Sequence, residues 1–184
     1  MTEPHHSPTI FLLGREDVDE VATLERDSFP LAWTPDVFAR ILRNERLPLS
    51  SVRKASLADV AVFGLRFSGK TIERVDNAGQ GNTAFPLLGY MSIRLVPLAG
   101  EAEIYNVAVQ PACRGKGYGT LLVSAVLQKL ATCSMQEVFL EAREGNIAAL
   151  SLYKRCGFVQ YGIRKRYYDD GENAVLMRLE ISKE

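Results

Sequence analysis

The stretch Arg114-Gly115-Lys116-Gly117-Tyr118-Gly119-Thr120 decides how this chain folds and what it can hold. It lies between an apolar run at 104–109, which is typical of a strand, and a helical pattern that begins near Tyr118. A glycine-rich turn therefore joins a strand to a helix N-terminus. Glycines let backbone N–H groups approach an anion, and the unpaired donors and dipole of the first helical turn point the same way. The stretch predicts a pyrophosphate site, although a glycine turn can also precede a helix without binding anything.

Two better-known phosphate motifs do not fit this turn. A P-loop needs Gly-x-x-x-x-Gly-Lys-Ser/Thr, and neither Gly69-Lys70 nor Gly115-Lys116 provides that pattern. A Rossmann fingerprint counted from Gly115 needs its third glycine where Thr120 stands. A phosphate site at this turn therefore belongs to another class of loop.

Composition indicates one ordinary globular domain. The chain has 184 residues, of which 47% are hydrophobic, a size and content typical of a single core. We expect one domain over 1–184, with a flexible tail at 1–8 and a flexible loop at 68–86. Basic and acidic residues balance at 22 each, so the overall charge gives no attraction to nucleic acid or to an anionic membrane.

The chain shows no sign of export or membrane insertion. Residues 1–8 are polar, and no stretch approaches the roughly eighteen apolar residues of a spanning helix. We therefore expect a cytoplasmic protein, with a monomer favoured and the oligomeric state left open. The cysteines, Cys113, Cys133 and Cys156, are odd in number and far apart, which favours reduced thiols over disulfides or a zinc site.

Histidine is confined to the adjacent pair His5 and His6 in the N-terminal tail. This excludes a histidine-based triad and a His-Glu-x-x-His metal site, so no metal is expected. The available catalytic tools are carboxylates, tyrosines, cysteines and backbone groups.

Hydrophobic periodicity predicts a mixed α/β fold in the order β-α-α-β-β-β-α-β-α-β-β, with about seven strands in a central sheet and about four helices. Thr34-Pro35 is a predicted helix start, Asn146 is a predicted cap, and the strands on either side of Pro97–Gly100 are expected to pair antiparallel. The predicted strands are 9–14, 60–67, 87–96, 103–109, 138–143, 159–168 and 174–180, and the predicted helices are 17–28, 35–44, 118–130 and 147–156.

Four blocks of sequence together resemble the GCN5-related N-acetyltransferase (GNAT) superfamily. The turn at 114–119 matches Arg/Gln-x-x-Gly-x-Gly/Ala, the pattern of its coenzyme A pyrophosphate loop. The blocks at 106–111, 140–146 and 149–158 look like those of members that acetylate protein N-termini. The likeness is most marked to the RimI type, the bacterial ribosomal-protein alanine N-acetyltransferases, and it is thinner upstream of Leu88. The resemblance implies the same mixed α/β fold.

The resemblance implies that Glu141 is a general base. A carboxylate on a half-buried strand can accept the proton of an incoming amine, directly or through water. Glu101 and Glu103 are reserve candidates on the neighbouring strand. The residues themselves leave another role open, because a strand carboxylate often forms an ordinary ion pair, here with Arg143 or Lys154.

The same likeness implies that Tyr153 is the general acid that protonates the departing thiolate. A phenol with a pKa near about 10 keeps its proton at neutral pH and can donate it. On spacing alone, Tyr153 could equally be a core aromatic residue, since Ala149, Leu152 and Cys156 share its helical face.

Acetyl-CoA is the co-substrate that the resemblance implies, held largely by backbone groups. In this fold a strand edge opens to admit the pantetheine arm, whose amides continue the hydrogen-bonding ladder. Nothing nearby in the sequence activates Cys113, so no covalent role is expected for it. The implied cofactor-binding residues are Val107, Ala108, Val109, Arg114, Gly115, Lys116, Gly117, Tyr118, Gly119, Thr120 and Asn146.

Two aromatic segments resemble the peptide clamp of N-terminal acetyltransferases. One is the Phe-Pro-x-x-aromatic loop at 29–33 and the other is a tyrosine pair on the last hairpin, while Tyr105 could line the floor between them. The loop could instead simply pin a helix corner to the core. The implied substrate-binding residues are Phe29, Pro30, Leu31, Trp33, Tyr105, Tyr167 and Tyr168.

We therefore expect an enzyme that transfers an acetyl group from acetyl-CoA to the N-terminal α-amino group of a protein, by direct attack in a ternary complex. A ribosomal protein beginning with alanine is the favoured substrate. An α-amine with a pKa of about 7.7–8.0 needs only a modest base. Two alternatives stay open, a small-molecule amine acetyltransferase and a non-catalytic module that binds CoA or a peptide, because the long stretch at 47–86 leaves substrate identity unsettled.

Overall fold

The computed structural model describes residues 8–43, 45–51, 60–67, 72–75, 81–84 and 86–181. The strands are β1 (Pro8–Leu12), β2 (Leu47–Pro48), β3 (Val60–Phe67), β4 (Ile72–Val75), β5 (Gly81–Ala84), β6 (Leu87–Val96), β7 (Glu101–Val109), β8 (Glu137–Arg143), β9 (Val159–Arg164) and β10 (Ala174–Glu180). The main sheet has eight strands in the order β2-β1-β3-β6-β7-β8-β10-β9, and β4 and β5 form a separate pair. Every neighbouring pair is antiparallel except β7 and β8, which are parallel.

Helices cover the two faces of the main sheet. They are α1 (Val18–Arg26), α2 (Pro35–Ile41), α3 (Tyr118–Thr132) and α4 (Ile147–Arg155). The larger core lies between the sheet and α3 with α4, and the smaller core lies beneath α1 and α2. Within the described ranges, no helix has the length and apolarity needed to cross a membrane.

Helix α3 shows why the sequence folds in this way. Leu122, Val126 and Leu130 recur at i, i+4 and i+8, and all three are fully buried against the sheet. The helix begins at Tyr118, directly after Gly117, as the pattern predicts. The apolar stripe therefore fixes which side of α3 faces the sheet, and with it the direction in which the glycine turn opens.

The predicted order of elements is confirmed. Without the two-residue β2 and the β4–β5 pair, the chain runs β-α-α-β-β-β-α-β-α-β-β. The bounds of β3, β6 and β10 agree with the prediction, and β6 and β7 pair antiparallel around the turn at 97–100. The sequence does not predict the β4–β5 pair, which lies inside the region expected to be a flexible loop. Of the predicted flexible segments, residues 1–7, 68–71, 76–80 and 85 lie outside the described residues.

Two predicted elements end three or more residues earlier than expected. The strand predicted to reach Tyr168 ends at Arg164, because Arg166 adopts the left-handed region with φ of 51° and the chain turns away from the sheet. The second helix ends at Ile41, since Leu42 leaves helical geometry with ψ of 69°. Tyr167 and Tyr168 therefore lie on a loop and not on a strand.

A buried ion cluster holds the start of α1 against β3. Asp17 is 1% exposed, and its carboxylate bonds to Arg66 at 2.6 Å and also to Arg46. The other guanidinium nitrogen of Arg66 contacts Glu20 at 2.6 Å, and Arg66 is itself 1% exposed. Burying these charges is costly unless each is paired, so removing one partner leaves an uncompensated buried charge.

Replacement of Asp17 by alanine should therefore destabilise the fold strongly. We expect the free energy of unfolding to fall by about 3–5 kcal/mol, the usual effect of breaking a buried ion pair. Denaturation in urea, followed by circular dichroism, measures the change. The matched control is Asp19→Ala on the same helix turn, whose exposed carboxylate should contribute no more than about 1 kcal/mol. Equal losses for the two variants would contradict a special role for the cluster.

Candidate active site

Strands β7 and β8 part halfway along their length, and this fork organises the site. They pair in register from Glu101 opposite Glu137 to Ile104 opposite Leu140, and no further. Beyond that point, the edge of β7 that faces β8 has no strand partner among the described residues. We call the unpaired ends of the two strands the prongs of the fork. The first residue of the β7 prong is Tyr105, and the first residue of the β8 prong is Glu141.

A bulge in β7 coincides with the fork. Ile104 lies opposite Ile93 of β6 and Asn106 lies opposite the next residue, Ser92, so Tyr105 is an extra residue on β7. A bulge disrupts the ladder and re-aims the side chains beside it. Here Tyr105 contacts Trp33 and Asn106 contacts Glu25, so both side chains face α1 and α2.

A cleft of about 770 Å³ opens on the α3–α4 side of the fork. Its floor is the free part of β7, and its end is the glycine turn. It contains ten of the eleven residues predicted to bind a cofactor; Lys116, whose ammonium donates to the Ala112 carbonyl at 3.1 Å, does not line it. The predicted residues that line it are Val107, Ala108, Val109, Arg114, Gly115, Gly117, Tyr118, Gly119, Thr120 and Asn146.

The glycine turn has the backbone geometry of an anion-binding loop. Gly115 and Gly117 adopt φ of 75° and 83°, which other residues rarely tolerate, and a Cβ at either position would meet nothing within 4 Å. The first bond of α3 runs from the Leu121 N–H to the Gly117 carbonyl at 3.0 Å. The N–H groups of residues 118–120 therefore precede the helical ladder, at the positive end of its dipole.

Tyr153 lies in the wall of this cleft, on α4. It is 8% exposed, and its ring packs edge-on against Phe158 with centroids 5.7 Å apart. Burial is the main reason that the pKa of the Tyr153 hydroxyl is raised above its ordinary value, and the nearby Cys156 and Tyr168 add to the effect. The phenol therefore keeps its proton across the physiological range. Its helix is capped by Asn146, whose Oδ1 accepts the Ala149 N–H at 3.1 Å, as the sequence predicts.

Glu141 lies on the opposite face of the sheet from Tyr153. Along β8 the side chains alternate, with Leu140 and Ala142 in the α3–α4 core and Glu141 on the other face. Glu141 is 23% exposed and forms an ion pair with Arg164 of β9 at 2.6 Å. The sequence left open an ordinary ion pair of Glu141 with Arg143 or Lys154. Glu141 does form an ion pair, but with Arg164 and with neither of those two residues.

A second pocket, of about 200 Å³, surrounds Glu141. Glu101 and Glu103, the reserve candidates, line it as well, and Glu103 is paired with Arg94 at 3.0 Å. Three carboxylates thus share one side of the fork, while the cleft with the glycine turn lies on the other. The structure does not place Glu141 and Tyr153 in one pocket, but on either side of the parted strands.

Aromatic residues stand beside both prongs. Trp33 packs against Tyr105 with ring centroids 5.9 Å apart, and Phe29 lines the cleft wall. On the other prong, Tyr167 and Tyr168 stack edge-on at 5.2 Å. Of the remaining residues in the predicted peptide clamp, Leu31 is 81% exposed and Pro30 is also exposed.

The loop that carries the tyrosine pair is tied to the end of β8 by Arg143. This guanidinium contacts Asp170 and Glu172, each at 2.6 Å, and lies 3.9 Å above the ring of Tyr168. The Gly145 N–H adds a bond to Glu172 at 2.7 Å. Burial raises the pKa of Tyr168, Arg143 opposes the rise, and the charge of Glu141 adds to it.

Sequence reasoning missed three residues of this site. Arg164 has no predicted role, and its pairing with Glu141 reaches across β10, which lies between β8 and β9. Glu25 occupies a buried position of α1, four residues after Val21, and this spacing was the one signal available for it. Asn106 opens the block at 106–111, in which only residues 107–109 were expected to bind the cofactor.

The comparisons with known proteins define the class of this protein. The pattern of the Acetyltransferase (GNAT) family matches residues 19–158, which is more than half of the chain. The chain belongs to this family of acetyltransferases, and the resemblance seen in the sequence is confirmed.

Within the family, the chain is similar to alanine N-acetyltransferases of ribosomal protein bS18. The enzyme of that name from Haemophilus ducreyi is 42% identical over 88 residues, covering 46% of this chain and 61% of that protein. A putative one from Bacillus subtilis is 29% identical over 170 residues, covering 91% and 92%. The crystal structure of the Escherichia coli enzyme has a TM-score of 0.71 at 25% identity, covering 96% and 95%. The aligned segment spans less than two thirds of the H. ducreyi relative, but nearly all of the other two.

Replacement of Arg143 by glutamine should release the tyrosine loop. The pKa of Asp170 is lowered by the Glu172 backbone N–H and by Arg143, and that of Glu172 by Arg143 and then the Gly145 N–H. Folding depresses both pKa values. The ion pairs of Arg143 with these two carboxylates therefore contribute their full stability above the ordinary carboxyl pKa range of about 3.9–4.3, and this stability is lost as the pH falls through the lowered values. We expect both pKa values to rise in the variant, as measured by NMR titration.

Amide hydrogen exchange measures independently whether Arg143 holds the tyrosine loop in place. The N–H groups of Gly145 and Tyr168 bond to Glu172, so both should exchange faster in the Arg143→Gln protein. The control is Arg178→Gln, since Arg178 forms only exposed pairs, with Glu137 at 3.8 Å and Glu180 at 3.5 Å. Unchanged exchange in the Arg143 variant would show that the loop holds its shape without the guanidinium.

Proposed function

We propose that this protein transfers an acetyl group from acetyl-CoA to the N-terminal α-amino group of a protein. The observation that carries the proposal is the fork between β7 and β8, with a cleft ending in a glycine turn on one face and a carboxylate-lined pocket on the other. Two molecules can thus approach one gap from opposite sides. Direct attack in a ternary complex needs this arrangement, and it needs neither a metal nor a covalent intermediate.

Acetyl-CoA supplies the thioester, and the cleft offers suitable groups for it. The free N–H groups at 118–120 and the two left-handed glycines suit a pyrophosphate, and Arg114 adds a cationic side chain in the wall. The edge of β7 at 107–109, which has no partner in β8, presents backbone groups that can bond to the amides of an extended arm, although the Val109 carbonyl already accepts the Arg114 Nε–H at 3.0 Å. The same edge can polarise the thioester carbonyl at the fork.

Proton transfers complete the reaction. Glu141 takes one proton from the incoming ammonium, and the free amine nitrogen then bonds to the acetyl carbon. As the carbon–sulfur bond breaks, Tyr153 gives its proton to the thiolate, the second proton on the nitrogen leaves to water, and water restores the proton of Tyr153. The ion pair with Arg164 means that the arriving ammonium competes with a guanidinium for the Glu141 carboxylate. An α-amine, with a pKa of about 7.7–8.0, can then be deprotonated by a modest base.

A peptide N-terminus is the acceptor that these surroundings favour. Trp33 with Tyr105 forms one wall beside the fork and Tyr167 with Tyr168 stands by the other prong, so an extended chain can lie between aromatic surfaces. The similarity to alanine N-acetyltransferases of ribosomal protein bS18 supports a ribosomal protein that begins with alanine.

A peptide library tests the assignment directly. The protein is incubated with acetyl-CoA and peptides of varied first residues, and mass spectrometry locates the acetylated nitrogen. We expect modification of the α-amine, with alanine among the preferred first residues. Modification confined to lysine side chains, or turnover with polyamines alone, would overturn the proposal. Binding of CoA without turnover on any amine would favour a non-catalytic module.

Replacement of Glu141 by glutamine tests its role as base. We expect kcat/KM for a peptide to fall about 100-fold at pH 7, within the usual range for a general base. The loss should shrink at pH 9, because the α-amine then deprotonates without help. Arg164→Gln is the matched control, since it breaks the same ion pair and spares the carboxylate. A structural ion pair would make the two variants equally impaired at both pH values.

Replacement of Tyr153 by phenylalanine tests its role as acid. The variant keeps the ring in the core and removes only the proton donor, so we expect kcat to fall by about 100-fold with binding of acetyl-CoA preserved. Since the Tyr153 pKa is raised, the native enzyme should show no alkaline loss of kcat from this group up to about pH 10. Release of CoA is followed with a thiol reagent.

The control for this test is Phe158→Leu. It disturbs the packing around the Tyr153 ring and leaves the hydroxyl in place. The native kcat should persist in this variant to within a fewfold. If Tyr153→Phe retains the native kcat, the thiolate takes its proton from another source.

A further inference from the structure

Glu25, near the end of α1, is a carboxylate buried beside the fork. It is 1% exposed, and it accepts hydrogen bonds from the Trp33 backbone N–H and from Asn106 Nδ2, each at 3.0 Å on Oε1. Its other oxygen accepts the Tyr90 hydroxyl. Burial raises the pKa of Glu25, and the Trp33 bond opposes this rise. Burying this group costs free energy that only well-placed donors offset.

The three residues that donate hydrogen bonds to Glu25 belong to three different parts of the face on which the substrate amine is proposed to bind. Trp33 is the aromatic wall that packs on Tyr105, and Asn106 is the residue next to the bulge on β7. Tyr90 lies on β6 opposite Ala108, on the stretch of β7 that has already left β8. One carboxylate therefore connects the groove wall, the bulge and the central strand that supports them.

The distances along the chain show that local structure does not set these contacts. Trp33, Tyr90 and Asn106 are 8, 65 and 81 residues from Glu25. Apolar packing between α1 and the sheet is not directional, so it leaves the wall free to shift by a fraction of an ångström. Hydrogen bonds to a single fixed group remove that freedom.

We infer that Glu25 is a positioning residue that sets the acceptor groove, holding Trp33 and the Tyr105–Asn106 bulge at the spacing that a peptide N-terminus requires. The inference rests on the proposed function. Glu25 does not line the cleft on the α3–α4 side, so it acts on the acceptor and not on the acetyl donor. It touches no reacting atom and acts through the residues that it holds.

The side-chain chemistry of Glu25 predicts which replacement is tolerated. A glutamine could still accept the Trp33 and Asn106 bonds on its oxygen, and the Tyr90 hydroxyl could turn to accept from its nitrogen. An alanine loses all three bonds and leaves the donors unpaired.

Steady-state kinetics with a peptide and acetyl-CoA test the inference. In Glu25→Ala we expect the peptide KM to rise about tenfold or more, the effect of losing one or two hydrogen bonds that hold the groove. The KM for acetyl-CoA and its calorimetric Kd should stay within about twofold of the native values, because the substitution changes no residue that lines the acetyl-CoA cleft. Glu25→Gln should restore most of the peptide KM. Circular dichroism at the assay temperature confirms that each variant is folded.

The matched control is Glu20→Ala. Glu20 is another buried carboxylate of α1, 7% exposed, which bonds to Arg66 and to the Leu87 N–H, each at 2.6 Å, and to none of the three residues that Glu25 holds. It should destabilise the protein and leave the ratio of the two KM values unchanged. An equal rise of the peptide KM in the Glu20 variant, or a native peptide KM in folded Glu25→Ala, overturns the inference.

A further variant keeps the test open if Glu25→Ala does not fold. Asn106→Ala removes only the link to the bulge and should reproduce the rise in peptide KM, whereas a native value would overturn the inference. The proposed function is judged separately, by turnover of the native protein. No acetylation of any peptide by the native protein would defeat that function, whereas native turnover with insensitive variants would defeat only the role of Glu25.

Discussion

The separation of β7 from β8 is the constraint on which the rest of the site depends. A strand edge without a partner leaves backbone donors and acceptors unsatisfied, and these groups must find other partners in water or in a ligand. The bulge at Tyr105 coincides with the separation, since the ladder on the β6 side slips by one residue there. The fork is thus built into the register of the sheet, and the glycine turn and α3 follow from its far end.

The two faces of the fork differ in chemistry because different helices cover them. On one face, α3 and α4 leave a cleft with glycine backbone, helix N–H groups and the protonated Tyr153. On the other face, α1 and α2 cover only part of the sheet, so Glu101, Glu103 and Glu141 meet solvent in a shared pocket. Acceptor and donor can therefore be held by separate surfaces, and the proposed reaction brings them together only at the gap.

Local signals explain how much of this could be predicted. Some features depend only on residues a few positions away, so they can be predicted from the sequence. They are the start of α3 after Gly117, the cap at Asn146 and the bounds of β6. The β4–β5 pair carries little apolar periodicity, and the end of β9 depends on the left-handed Arg166. Such features are decided by the surrounding fold and not by propensity.

The site was predictable in its backbone and less so in its side-chain partners. The glycine turn, most of the predicted cofactor-binding residues and Tyr153 lie around one cleft, while their roles stay predictions. The Arg164 partner of Glu141 depends on how β9 is placed beside β10 at the sheet edge, which no short-range pattern reports. The contacts of Glu25 join four separate elements, so they exist only once the sheet and α1 are assembled.

Helix α1 shows why buried charge is used on the acceptor side. Asp17 and Glu20 bind Arg66 of β3, and Glu25 binds Tyr90 and Asn106. Replacing such groups with apolar residues often costs a protein no stability. Stability alone therefore does not account for three buried carboxylates, Asp17 just before this short helix and Glu20 and Glu25 within it. Directional bonds do what apolar packing cannot, since they fix the height and rotation of α1 relative to the sheet. The aromatic wall formed by Trp33, in the loop that follows that helix, and Tyr105 is held in place by the same bonds.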